Sequence, residues 1–168
     1  MMLNENERRL ASYDAWANKM TLRAIDRIGE AVAGNERILK LLGHIMGAKE
    51  MWMARIRNED TSKIEVWPML AWPDVPLRLA KVDAALIALV TQRADLKSPI
   101  RYKNSKGEAF ENSIRDLVVH MVNHGTYHRG QLATAIKQAG GEPEFTDYVA
   151  WLRQFPGGVP VLPTSGSN

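Results

Sequence analysis

The chain has 168 residues, enough for one domain with a sizeable core, and its 45% hydrophobic and 24% charged residues describe a folded globular protein. A formal charge of +3, with Arg8, Arg9, Arg55 and Arg57 interleaved among Glu5, Glu7, Glu50 and Glu59, offers no basic face and excludes a nucleic-acid partner. Without cysteine there is no disulfide, catalytic thiol or thiolate metal site. The polar stretch from Met1 to Arg9 is unlike a secretory leader, and no apolar run nears the roughly 20 residues of a bilayer span, so the expected location is cytoplasmic, with no membrane partner.

Four segments have helical periodicity. In the first, Leu3, Leu10, Ala17 and Ala24 form a heptad-like seam with Tyr13 and Met20, ending near Gly29. The second follows Gly34 with Asn35 as its cap and runs through Ile38, Leu41, Leu42, Ile45, Ala48, Trp52 and Ile56. A loop over residues 59–75 follows, carrying Pro68, Pro73, Trp67 and Trp72. About 17 extended residues reach roughly 55 Å. A helix of about 22 residues is only about 33 Å long. The loop therefore has the reach to return along the bundle and set helices two and three parallel. The third helix, after Pro76, carries Leu79, Val82, Leu86, Leu89 and Val90. Residues 100–110 read as a hairpin turning at Asn104, Ser105, Lys106 and Gly107. The fourth helix opens at Ser113, with Asp116 three residues on, and closes at Gly140 and Gly141. The expectation is an all-α fold: a four-helix bundle, up-down-down-up, with a small β-hairpin before the last long helix. It occupies residues 1–155, and residues 156–168, rich in Pro, Gly and Ser, form a flexible tail.

Three of the four histidines, His120, His124 and His128, recur at spacing four in the last helix. Residues four apart share a face about 6 Å apart along the axis, which lets two imidazoles meet one ion. His120 and His128, about 12 Å apart, are too distant to do so together. The apolar stripe Ile114, Leu117, Met121, Leu132 and Ala135 is interrupted at positions 124 and 128, and His120 lies beside it. Two imidazoles in a core seam are costly unless their polar atoms are satisfied, by hydrogen bonds or by a metal. His44, on the edge of the second helix's apolar face, supplies a third nitrogen, and Gly43 and Gly47 beside it admit another element closely. Metal ligands are therefore assigned to His44, His124 and His128. Three neutral nitrogens suit zinc or nickel, with iron or copper also accommodated, and they leave a coordination position open.

The segment His120-Met-Val-Asn-His124-Gly-Thr-Tyr-His128-Arg-Gly-Gln131 resembles the signature of the DinB family of damage-inducible-protein-like metalloproteins. The likeness extends to Tyr13-Asp-Ala-Trp16-Ala-Asn18, Leu42-Gly-His44-Ile with Trp52, the hairpin turn from Asn104, and Thr146-Asp147-Tyr148. This resemblance implies an up-down-down-up bundle, usually a homodimer, with metal ligands at His44, His124 and His128. It also implies a metal that activates a small-molecule thiol, such as bacillithiol or mycothiol, for transfer. The expected function is thus a metal-dependent thiol S-transferase. The alternative is a non-catalytic, metal-binding stress protein. His120 is left as a supporting, capping or solvent-exposed residue. Arg129 and Gln131 are read as substrate-orienting groups or, for Arg129, as the partner of a carboxylate on helix one or in the tail. Asn18 is read as hydrogen-bonding near the site or exposed, and Trp16 and Trp52 as core anchors. Trp67 and Trp72 are read as a pocket lip or as pins for the crossover loop.

Overall fold

The computed structural model describes residues 4–32, 34–104 and 106–155, apart from the side chains of residues 30 and 31. Leu3 of the expected first seam, Ser105 of the hairpin turn and the expected tail at 156–168 lie outside the described residues. Four long helices and a short fifth account for most of the described chain: α1 (Glu5–Asp26), α2 (Glu36–Arg57), α3 (Val75–Gln92), α4 (Ile114–Gln138) and α5 (Tyr148–Gln154). One antiparallel hairpin, β1 (Pro99–Lys103) and β2 (Ala109–Ser113), precedes α4, pairing Ile100 with Asn112 and Tyr102 with Phe110. Among the described residues no helix is long and apolar enough to cross a membrane.

The helix ends fall where local chemistry puts them. Asn35 Oδ1 accepts the Ile38 amide at 3.1 Å and caps α2. Ser113 Oγ accepts the Asp116 amide at 3.1 Å and donates to the Asp116 carboxylate at 2.6 Å, closing the expected box at the start of α4. Gly140, at φ 81°, follows its end.

Apolar positions of α2, α3 and α4 form one core, from Ile38 and Ile45 through Leu79 and Leu86 to Ile114 and Leu132. Contacts at the helix ends give their directions. Asn4, just before α1, donates its side-chain amide to the carbonyls of Val90 and Arg93 at the end of α3. Glu7 of α1 pairs with Arg115 at the start of α4. Arg37 near the start of α2 bonds Gln138 at the end of α4. Arg78 near the start of α3 pairs with Glu50 midway along α2.

Helix α5 lies outside the four periodic segments. Its seven residues are too few to display a helical period, yet they bring Trp151 to full burial against Tyr13, Trp16, Ala17 and Val122. Tyr13 donates its hydroxyl to the Thr146 carbonyl at 2.9 Å, fixing the segment that leads into this helix. The first helix also differs from the seam drawn for it. Its buried line includes the polar residues Glu7, Asp14, Asn18 and Thr21, while Leu10 and Met20 are only partly buried.

Two of those residues, Asp14 and Asn18, belong to an ion cluster that joins all four long helices. Lys49 of α2 is 1% exposed and pairs with Asp14 of α1 and, at 2.6 Å, with Asp83 of α3. Arg129 of α4 donates to Asp14 at 2.5 Å and to the Asn18 side-chain carbonyl at 2.9 Å. Asn18 in turn donates to both oxygens of Asp83 at 3.0 Å. Burial by itself would raise the Asp14 carboxyl, but Lys49 and Arg129 hold it below its ordinary value. Burial holds Asp83 above its ordinary value despite Lys49.

Removing Lys49 leaves Asp83 without a cation in a dry interior and leaves Asp14 with Arg129 alone. Lys49→Met is therefore expected to lower the unfolding free energy by about 3–5 kcal/mol. The exposed pair Lys40 and Glu36 provides the control, since Lys40→Met should cost no more than about 1 kcal/mol. Urea unfolding of the two variants measures the contrast, and equal losses would contradict the role given to Lys49.

Candidate metal centre

His44 sits in the third turn of α2, and His124 and His128 sit one turn apart near the middle of α4. His44 and His128 are buried and His124 is half-buried. The antiparallel contact of these helices brings the three rings together. His124 Nε2 lies 3.0 Å from His44 Nε2 and 3.2 Å from His128 Nε2. One ligand nitrogen from each ring lies within 4.8 Å of the other two, and among the described residues no carboxylate joins them.

The crossover loop holds the first of these rings. A Cβ at Gly43 would meet the Pro68 carbonyl oxygen at 2.0 Å, and one at Gly47 would meet the Glu65 carbonyl oxygen at 2.5 Å. Both obstacles are backbone, so only glycine admits the loop this close. The close approach carries the Val66 carbonyl to 2.9 Å from His44 Nδ1. It also lays the Trp67 ring on the His44 ring, with centroids 3.6 Å apart and planes 4° apart. On α4, Gln131 Oε1 lies 3.2 Å from His128 Nδ1.

The outer contacts favour one tautomer of these two rings. The Val66 carbonyl can only accept, so His44 Nδ1 donates to it, and Gln131 Oε1 is placed to accept from His128 Nδ1 in the same way. In that tautomer each ring presents Nε2 as a bare lone pair. His124 has one Nε2 proton to offer, enough for one of the two facing lone pairs. A cation satisfies all three nitrogens together. Nitrogens bound tetrahedrally at the usual 2.0–2.1 Å from zinc are about 3.3–3.4 Å apart, close to the two short separations here. The donor set fits a divalent transition metal and does not suit magnesium or calcium. The outer carbonyls are the kind of support that orients metal-binding imidazoles.

The remaining sequence-flagged residues divide clearly. His120 stays outside the cluster, its ring meeting the Trp52 edge at 5.2 Å. Arg129 takes the carboxylate partner expected on helix one, Asp14, and belongs to the ion cluster. Gln131 orients His128. Asn18 is 2% exposed and bridges Asp83 and Arg129. Trp16 packs in the second core cluster, and Trp72 packs on the main core and pins the loop. Trp52 packs against the core and also lines a cavity of about 580 Å³. This cavity opens beside His44 and His124 and is walled by Met51, Val66, Tyr102 and Phe110. Lys49, Asp14 and Asp83 do not stand out in the sequence. A signal for the first exists: Lys49 falls in line with Ile38, Leu42, Ile45, Met53 and Ile56, a charge in an apolar stripe.

Comparison with known proteins adds the following. The family model described as "DinB family" matches residues 2–155. A curated relative, Protein DinB of Bacillus subtilis (strain 168), is 26% identical over 164 residues, covering 86% of this chain and 92% of the relative. No solved structure matches.

Burial depresses the His124 imidazole from its ordinary 6.5 to about 4, and the adjacent His128 and His44 rings add to the effect. The unfolded chain takes up this proton near pH 6.5 and the folded, metal-free chain only near pH 4. Protons therefore favour the unfolded chain across that window, and stability present above pH 6.5 is lost as the pH falls towards 4. Urea unfolding of the metal-free protein between these pH values should show the decline. His124→Gln should flatten it, and an unchanged slope would contradict the depressed value.

Proposed function

The chain belongs to the DinB family, and from that premise and the converging imidazoles we propose that it is a divalent-metal enzyme acting on a low-molecular-weight thiol, of the S-transferase type. The observation that carries the reading is the commitment of His44 Nδ1 and His128 Nδ1 as donors, which turns their Nε2 lone pairs inward on His124. A divalent ion at this position would supply Lewis acidity, which brings the pKa of a thiol into the neutral range. His44, His124 and His128 are its ligands, and zinc or nickel suits them best, with iron or copper also compatible.

Other parts of the chain support the centre. Val66 and Gln131 keep the two imidazoles in the ligand tautomer. Trp67, stacked on His44, covers one side of the cluster. The apolar walls of the neighbouring cavity would lie against a thiol and its electrophile on the side from which they enter.

The reading includes the architecture that the family resemblance suggests. The end-to-end contacts of α1 with α3 and of α2 with α4, and the side-by-side contacts of α1 with α4 and α2 with α3, support an up-down-down-up four-helix bundle. The same resemblance supports a cytoplasmic homodimer with residues 1–155 as its folded unit.

Metal analysis and turnover test the proposal together. The wild-type chain should hold one equivalent of zinc or nickel. His44→Ala, His124→Ala and His128→Ala should each weaken it by more than about a hundredfold, beyond the loss caused by removing a supporting residue. His120→Ala should retain it. Metal-dependent conjugation of a thiol such as bacillithiol, glutathione or cysteine to monochlorobimane is the expected activity. Stoichiometric metal without turnover on any thiol would favour the non-catalytic metal-binding protein instead.

A further inference from the structure

Several arginines among the described residues pair with carboxylates. Arg27 meets Glu144, Arg78 meets Glu50, Arg101 meets Glu111, Arg115 meets Glu7 and Arg129 meets Asp14. Arg55 of α2 differs from these: it is half-buried, yet among the described residues it has no carboxylate partner. Its guanidinium instead lies over the Trp52 ring at 4.7 Å and the Tyr102 ring at 5.2 Å, and one N–H group donates to the Lys103 carbonyl at 3.2 Å. Ring faces and one carbonyl hold the group in place and leave most of its five donors for another acceptor.

That acceptor has a defined place. Arg55 lines the same cavity as His44 and His124. It is the only Lys or Arg that does so among the described residues. His44 and Arg55 lie eleven residues apart on one helix, or about 16 Å along its axis. Helical side chains lean towards the N-terminus, so the guanidinium comes back towards the histidines and shortens this span. The wall between the two ends is mostly apolar, made by Ala48, Met51 and Trp52 on one side and by Tyr102 and Phe110 of the hairpin on the other, and Asn104 also lines the cavity.

We propose that Arg55 is the specificity-determining residue of this cavity and that the thiol it selects is an elongated one ending in a carboxylate. The sulfur lies at the histidine end, an uncharged spacer runs along Trp52, and the carboxylate takes the fork of Arg55. A single guanidinium without a second cation matches a singly charged, planar anion better than a phosphate dianion. The hairpin thereby gains a role in recognition, since Tyr102 and the Lys103 carbonyl aim the guanidinium. This inference rests on the thiol reading of the metal centre and adds the other half of the ligand.

The test uses the chain loaded with cobalt(II), whose thiolate charge-transfer band reports sulfur binding directly. A series of ω-mercaptoalkanoic acids of increasing length is titrated, each beside the matching ω-mercaptoalcohol. At the best-fitting length the acid should bind about ten- to a hundredfold more tightly than the alcohol, the range of a charge-assisted pair. In Arg55→Gln that ratio should fall to about one, and Arg55→Lys should restore part of it. Cobalt content, measured on the same samples, should be equal in all three proteins. A ratio that persists in Arg55→Gln, or that is about one in the wild type at every length, overturns the assignment of Arg55. A cobalt-loaded wild type that develops no thiolate band with any thiol overturns the thiol reading itself, and this ligand with it.

Discussion

Lys49 is the point at which the four long helices are tied to one another. Its ammonium group is buried between Asp14 of α1 and Asp83 of α3, and Asp14 also receives Arg129 from α4. A well-packed apolar set of similar volume often stabilises a fold at least as well as a buried ion cluster. What the cluster contributes in addition is register. A helix that slid by one turn would leave at least one of these charges unpaired in the interior, whereas leucines and isoleucines would repack. His44 lies five residues before Lys49, and His128 is adjacent to Arg129. The ion pairs that set the register of α2 against α4 therefore also set the separation of the imidazoles.

The histidine cluster and the ion cluster have opposite chemistry at close range. Lys49 and Arg129 are committed to carboxylates between the helices, where Asp14 pairs with both. The imidazoles are held with lone pairs facing inward, and Lys49 adds to the burial and neighbouring rings that resist protonation of His124. A neutral nitrogen is what a cation site needs, since a proton competes with a metal for the same lone pair. At His124 burial, ring–ring repulsion and a nearby ammonium all act in this direction.

Much of this is legible in the sequence because it is local or periodic. The caps at Asn35 and Ser113, the stop at Gly140, the apolar stripes of α2, α3 and α4, and the interruption of the last stripe by His124 and His128 all follow from spacing. The role of Gly43 and Gly47 is legible as a close approach, although not which carbonyl arrives. Other features are hidden because they depend on pairing across the chain. Asp14 and Asp83 look like surface charges until three helices bring them to Lys49, whose place in the apolar stripe of α2 is the one local sign of the cluster. Gln131 cannot be assigned to His128 rather than to a ligand, because side-chain direction within one turn decides it. Helix α5 is held by the burial of Trp151 rather than by its own periodicity. The mixed role of Trp52, packed on the core and facing the cavity, needs the hairpin in place to be seen.

Three imidazoles, with no carboxylate among the described residues, are placed to hold one divalent ion through their Nε2 atoms. X-ray absorption spectroscopy of the chain loaded with one equivalent of zinc addresses this most directly. The account predicts three imidazole ligands at about 2.0–2.1 Å, with one further light ligand from solvent completing the tetrahedron. A shell with fewer than three imidazoles, or one that keeps all three in His124→Ala, would contradict it.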